Sequence, residues 1–336
     1  MSSCTVRQAL FTKNLTSTSC GISPHVDYSY MAPTIAFFVL SAVAVSLRVI
    51  SRVQAKLAAW WDDFIITLSS LGYIAFSAIV WACTDIWAVP FHDITLNRKA
   101  LYLLFILYVT SRYLVRLSIL LFFYRRFGRD PLARRLIRWT FGAIVACCIA
   151  FDLAIMFGCT PISYFWTSWN GEHEGRCINT SGILWVGSFA AIAIDVWVIL
   201  IPLPFIMKLK FSRRKKMLAG IMFAFGVFVI IVSLYRLKTI NRFTSSQYPT
   251  ADFVDVGIWS GLELCVGIIC ACLPDIYSLL EPVYARSGSL LTSKKMTSPS
   301  AASDSRDSHK RKWILSTAEI SPKPSTEATE TARDEH

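Results

Sequence analysis

The chain alternates long apolar runs with short polar links. Seven runs stand out: Pro33 to Ile50, Phe64 to Cys83, Ala100 to Tyr124, Trp139 to Cys159, Ile183 to Met207, Met217 to Leu237 and Phe253 to Leu280. A helix needs roughly 20 mostly apolar residues, at about 1.5 Å rise each, to cross the hydrocarbon core of a bilayer. The pattern therefore predicts an all-α membrane protein, a seven-transmembrane helix bundle occupying residues 33–282. A short N-terminal segment, 1–32, precedes it. A Ser/Thr-rich tail, 283–336, follows, with the low hydrophobicity expected of disorder. Ser298-Pro299 and Ser321-Pro322 in that tail fit proline-directed kinases.

Composition agrees with this picture. Of 336 residues, 54% are hydrophobic and only 17% charged, with a mean hydropathy of +0.49; soluble domains carry about a quarter charged residues. The lipid bilayer is thus the first partner, and the expected localisation is multi-pass membrane. Residues 1–30 lack the apolar core of a cleavable signal peptide, so the first helix is expected to anchor the chain uncleaved.

The net charge of +12 could point to nucleic acid, but its distribution does not. The link after helix 3 carries Arg125, Arg126, Arg129, Arg134, Arg135 and Arg138 against Asp130. The link after helix 5 carries Lys208, Lys210, Arg213, Arg214, Lys215 and Lys216, and the link after helix 1 adds Arg52 and Lys56. Alternate links are nearly neutral or acidic. Basic residues on every second link obey the positive-inside rule and predict an external N-terminus and a cytoplasmic C-terminus. No nucleic-acid partner is expected. The basic inner loops are candidate contacts for a cytoplasmic signalling partner. Two sequons, at Asn14 and Asn179, fall on the side read as external and are candidate glycosylation sites.

The ten cysteines divide under this topology. Cys4, Cys20, Cys83, Cys159 and Cys177 lie on or near the oxidising external side, where pairing is expected. A Cys159–Cys177 bridge would fold the loop "TPISYFWTSWNGEHEGR" over the mouth of the bundle. Cys4–Cys20 is a second candidate, which leaves Cys83 odd. Cys147, Cys148, Cys265, Cys270 and Cys272 lie inside helices and read as small packing residues. His173 between two glutamates has no second histidine nearby, so no metal site is assigned.

Charges inside the apolar runs carry the chemistry. Arg112, Arg116, Asp152, Asp195, Arg236 and Glu263 would each cost about 2.5–3.5 kcal/mol at mid-helix unless they face the bundle interior with a partner. Counted from the external ends, Arg112 and Asp195 lie about 18 Å deep, Glu263 about 14 Å, and Asp152 nearer the mouth. Arg112, Asp195, Glu263 and Asp152 form the candidate polar centre, either a bundle lock or a ligand site. Arg116, one turn deeper on the same face, is within reach of the inner interface by snorkelling. Asp62 and Asp63, in "WWDDF", are expected to cap helix 2, with a contact to the basic inner loops as the alternative.

Retinal chemistry needs a lysine in the last helix, and none lies between Phe253 and Leu280; no cofactor is expected. Seven helices suit a G-protein-coupled receptor, yet helix 3 ends in "FFYRRFGRD", without the Asp-Arg-Tyr of the large animal class. No nucleotide-binding Gly-rich loop and no internal repeat are present, and the missing repeat counts against a transporter.

The stretches "WWDDFII", "RLSILLFFYRRF", "GCTPISYFWTSW", "DVWVILIPLPFIMKLKFSRRKKM" and "IWSGLELCVGIICACLPDIYSLL" resemble, in order, the fungal rhodopsin-domain family of integral membrane proteins over about residues 33–282. That family includes receptor-like proteins of pathogenic fungi and membrane proteins of mycotoxin gene clusters. The resemblance puts Asp62, Asp63, Asp195, Pro202, Pro204, Arg236, Glu263 and Pro274 in matching motif positions. The N-terminal segment holds only Cys4 and Cys20, unlike the cysteine-rich external domain of some receptor-like members. Two functions stay open. One is a receptor-like sensor of an external or small-molecule ligand, without retinal. The other is a membrane-embedded enzyme or accessory protein of secondary metabolism, with Asp195 or Glu263 as a general acid in an apolar pocket.

Overall fold

In the computed structural model the described residues are 12, 15, 16, 19, 30–54, 60–82, 94–128, 130–171, 173–208, 213–245 and 249–293. Asn14, Cys4, Cys20, Cys83, Arg129, Lys210, Ser298 and Ser321 lie outside them. Two compact units divide at Tyr284 and Ala285. Of the second, residues 285–293 are described and are helical.

Among the described residues, seven helices are long and apolar enough to span a membrane: α1 (Met31–Gln54), α2 (Trp61–Ala82), α3 (Ile94–Phe127), α4 (Pro131–Met156), α5 (Thr180–Leu200), α6 (Arg213–Ser245) and α7 (Pro249–Ser293). Several outrun the apolar stretches that mark them. Polar flanks such as Thr95–Lys99 stay helical beyond the hydrophobic core because the intrahelical hydrogen bonds continue there. The unbroken helix expected over Ile183 to Met207 instead stops at Leu200, and a separate turn, Leu203–Lys208, follows. Pro202 explains the break: it offers no N–H and its ring crowds the carbonyl four residues back.

Burial ranks the helices. In α3 and α7, 56% and 67% of the spanning window is buried, against 11–28% in the other five, so these two form the centre. The outer helices turn large apolar side chains outward, including Trp61, Phe64, Leu71, Val186, Phe189 and Ile231. That arrangement suits lipid, where apolar exposure costs nothing and the interior is free to hold polar groups. The protein is accordingly a multi-pass membrane protein.

Small residues let the central helices approach closely. A Cβ on Gly72 in α2 would strike the Ser111 hydroxyl of α3, and one on Gly267 in α7 would lie 3.1 Å from Val115 Cγ1. Ser69 of α2 also donates to the Ser111 carbonyl at 3.0 Å. Van der Waals contact and interhelical hydrogen bonds, rather than hydrophobic burial, hold such a bundle together.

The link between α4 and α5 is a small folded lid. Strands β1 (Cys159–Thr160) and β2 (Arg176–Cys177) pair antiparallel, with Cys159 opposite Cys177 and a disulfide joining them. The expected bridge is therefore present. Between the strands, Phe165 and Trp166 pack on Tyr102, and Arg98 donates to the Ser168 hydroxyl at 2.9 Å. Gly171 turns the chain with φ of 69°, a left-handed conformation that favours glycine. The lid is thereby docked on the first turns of α3.

Candidate functional site

The buried centre grows from one face of α3. Tyr108, Arg112 and Arg116 recur every fourth residue, so they line up on a single stripe. Opposite them α7 presents Glu263, α6 presents Ser233 and Arg236, and α5 presents Asp195 on its buried stripe of Ser188, Ala191 and Val198. All of these polar residues are buried.

Glu263 is the hub. The Tyr108 hydroxyl donates to its Oε2 at 2.6 Å, and the Ser233 hydroxyl donates to its Oε1 at 3.2 Å. Arg112 Nε lies 2.9 Å from Oε1, Arg236 Nη1 3.3 Å from Oε2, and Arg116 Nη2 3.8 Å from Oε1. Arg112 also donates to the Tyr108 oxygen at 3.0 Å, and the Arg236 guanidinium sits 4.5 Å from the centre of the Tyr108 ring. One tyrosine thus supplies a donor to the carboxylate and a π face to a cation. Asp195 takes Arg116 in a two-pronged pair, at 2.6 and 2.7 Å. Bidentate geometry is the strongest form such a pair adopts.

This arrangement corrects the reading of Arg116 and bears out the depth match of Arg112 with Glu263. Arg116 does not snorkel to an interface; Asp195 holds it inside the bundle. Arg112, matched in depth to both Asp195 and Glu263, pairs with Glu263 alone, because Arg116 already fills Asp195. Asp152 stands apart. It accepts from the Thr110 hydroxyl at 3.1 Å and the Cys148 thiol at 3.4 Å, and it makes no ion pair among the described residues. A cavity of about 60 Å³ opens beside the centre, between α3, α4, α5, α6 and α7. Arg112, Arg236 and Tyr108 form its polar wall, and Leu104, Phe151 and Ile155 are on its apolar side.

A second charged layer joins α1, α2 and α7 at the end of the bundle that carries Arg125. Arg48 donates to Asp62 and Asp63, each at 2.9 Å, and reaches Asp275 at 2.9 Å. Arg52 donates to Asp62 at 2.9 Å. Arg48 and Ser51 also donate to the Ala271 and Asp275 carbonyls, at 2.7 and 2.8 Å, tying α1 to α7. Here the capping expectation needs correcting for Asp62, whose buried side chain serves the two arginines rather than its own helix. Asp63 Oδ2 accepts the Trp60 backbone N–H at 3.2 Å while Oδ1 meets Arg48. Oxygens of Asp62, Asp63 and Asp275 come within 4.8 Å of one another, a spacing that suits a cation, but the guanidiniums of Arg48 and Arg52 occupy that role.

Sequence reasoning overlooked Tyr108, Ser233 and Asp275. Asp275 had a usable signal, a carboxylate near the end of α7 at the level of Arg48 and Arg52. Tyr108 and Ser233 had none, since a lone hydroxyl in an apolar run is ordinary. Asn179 is the N-cap of α5, its Oδ1 accepting the Gly182 N–H at 3.2 Å.

Comparison with known proteins agrees with this architecture. The pattern that defines the fungal rhodopsin domain matches residues 47–282. "Polyenoic acids biosynthesis gene cluster protein Ba17b" of Metarhizium anisopliae is 27% identical over 74% of this chain and 72% of its own length. A "SAT4 family membrane protein" of Emericella nidulans is 26% identical over 61% of this chain and 52% of its own. "Receptor GIN3" of Arthrobotrys oligospora is 28% identical over 54% of this chain and 44% of its own. With most of its length matched by that domain, the chain belongs to the fungal rhodopsin domain family of seven-helix membrane proteins.

Proposed function

We propose that the protein is a receptor-like sensor that works without retinal. Its N-terminus and disulfide-bonded lid face outside, and its basic links face the cytoplasm, as the alternation of basic residues favours. A ligand enters the cavity beside Arg112, Arg236 and Tyr108 and alters how Glu263 is shared among its partners. The observation that carries this reading is the position of α7. It supplies Glu263, the partner of the wall residues Arg112 and Arg236, to the buried centre and Asp275 to the second charged layer, twelve residues or about 18 Å along the same helix. A shift or rotation of α7 at the first layer therefore bears on the second, which adjoins the basic inner end. Ion-pair layers with alternative partners are suited to two discrete arrangements. The similarity to a protein called a receptor supports the same reading.

A second reading rests on the similarity to a biosynthetic-cluster protein: an intramembrane enzyme or accessory protein acting on a hydrophobic metabolite, with Glu263 or Asp195 as acid. The two separate in a deletion strain of the native host complemented with wild-type, Glu263→Gln or Asp195→Asn protein. Loss of response to external cues with an unchanged metabolite profile is the expected result. An intermediate that accumulates on deletion and is consumed by wild-type membranes overturns the sensor reading.

A further inference from the structure

The buried centre is not electrically balanced. Arg112, Arg116 and Arg236 bring three positive charges, while Glu263 and Asp195 bring two negative ones. Asp152 is not a member of this cluster: its partners are Thr110 and Cys148, and it makes no ion pair with the three arginines among the described residues. The surplus has a location. Arg116 is spent on Asp195 by a bidentate pair and is not part of the cavity wall. Arg112 and Arg236 share the single carboxylate of Glu263, and both line the cavity. Each keeps a buried donor, Arg112 Nη2 and Arg236 Nε, that finds no acceptor among the described residues. An uncompensated charge with unmet donors is among the most unfavourable features a membrane interior can hold. It is tolerated where function supplies the missing partner.

We infer that the cavity binds the carboxylate head of an apolar, singly charged acid. Its two oxygens accept from Arg112 and Arg236, and its carbon chain lies against Leu104, Phe151, Ile155 and Ile240. One negative charge is what neutrality requires, which favours a carboxylate over a doubly charged phosphate monoester. The apolar remainder of the wall favours a hydrocarbon body over a sugar or an amino acid. A cavity of about 60 Å³ takes the head and the first carbons, so the acid group rather than the tail is the part recognised. Guanidinium forks match planar carboxylates in geometry as well as charge. This assignment rests on the sensor reading of the same cavity and names its ligand class.

The test uses the full chain in phosphatidylcholine nanodiscs and follows its melting temperature with increasing hexanoate, hexanamide or hexylammonium. Hexanoate is expected to give a saturable rise that neither the isosteric amide nor the cation reproduces. Arg112→Gln or Arg236→Gln should weaken the apparent affinity by roughly tenfold or more, the cost of one charge-assisted contact. Gly257→Leu provides a control that leaves every charge in place. Gly257 lines the cavity and a Cβ there meets nothing within 4 Å, so the variant should fold, keep its disulfide and lose the hexanoate response. Equal responses to acid and amide, no response to either, or a full hexanoate response in Gly257→Leu each overturn the assignment. So does a shift that appears only when phosphatidylglycerol is added to the disc, which would make the anion a lipid headgroup. Hexanoate binding in protein that restores no cue response to the deletion strain defeats the sensor reading alone. A Glu263-dependent cue response without carboxylate binding defeats the ligand class alone.

Discussion

Tyr108 on α3 and Glu263 on α7 meet at 2.6 Å in the middle of the bundle, the tyrosine hydroxyl donating to Oε2. The contact links the two most buried helices and sits where three arginines converge. Removing the donor while keeping the ring isolates its contribution. Tyr108→Phe retains the face over which Arg236 lies but leaves both Glu263 Oε2 and Arg112 Nη1 short of a partner. Expected is a stability loss of about 1–3 kcal/mol, read as a lower midpoint in detergent unfolding.

Glu263→Gln should cost more than Tyr108→Phe. The amide keeps the shape yet leaves Arg112 and Arg236 without an ionic partner, and breaking a buried pair in that way costs about 3–5 kcal/mol. Adding Arg236→Gln should recover part of the loss, because the double variant lowers the unmatched charge. The measurement is a double-mutant cycle of unfolding midpoints. Additive losses within about 0.5 kcal/mol would show that the two residues do not share an interaction.

Arg116 and Asp195 offer a way to tell a lock from a signalling element. Either residue changed alone to Leu strands a buried charge, an expected loss of about 3–5 kcal/mol. Changed together to Leu, the pair is replaced by apolar groups, and stability should return to near wild type. If the double variant folds and still restores the cue response of a deletion strain, the pair only fixes α3 against α5. If it folds and is silent, the pair belongs to the switch.

The seven spans were legible because length and apolarity are properties of single segments. The positions of Arg112, Asp195 and Glu263 near one level followed from counting residues. The Arg112–Glu263 pair was within reach of that count, but the partner of Asp195 was not, since depth sets Arg112 beside Asp195 whereas rotation about each helix axis brings Arg116 to it. Hydropathy carries no information on that rotation when a helix is apolar on every face. The same limit hid Tyr108 and Ser233, whose roles depend on Glu263 in another helix, 155 and 30 residues away in sequence. The lid was more accessible: two cysteines flanking one short loop on one side of the bundle leave little freedom, and Cys159 and Cys177 are bonded.

That lid yields a prediction of its own. The bridge closes a loop across a sequence separation of 18, a restraint on the unfolded chain that amounts to about 3 kcal/mol in the loop-entropy account. Cys159→Ser with Cys177→Ser should lower the unfolding midpoint and expose the segment around Gly171 to protease. Tyr102, Phe165 and Trp166 would still hold part of the lid on α3, so α3 itself should stay protected. Proteolytic mapping by mass spectrometry checks this; unchanged cleavage would mean that the aromatic contacts alone secure the lid.

Asp62 and Asp63 are neighbours in sequence but not equivalent in the second charged layer. Asp62 is 1% exposed, and its Oδ2 accepts from both Arg48 and Arg52. Asp63 is 21% exposed, shares Arg48 and Arg52, and meets the backbone N–H of Trp60. Asp62→Asn leaves two arginines leaning on Asp63 and Asp275, with an expected cost of about 3–5 kcal/mol. Asp63→Asn retains an oxygen for the Trp60 N–H and loses a partly exposed ionic contact, for about 1 kcal/mol. The difference is measurable by unfolding both variants under one detergent condition. Equal losses would place the two carboxylates on the same footing and count against Asp62 as the joint that holds α1 to α2. A larger loss at Asp62 supports that role. An Arg52→Gln change placed on Asp62→Asn should then cost less than Arg52→Gln alone, since Arg52 would already have lost its 2.9 Å partner and keeps only Asp63 and Asp275.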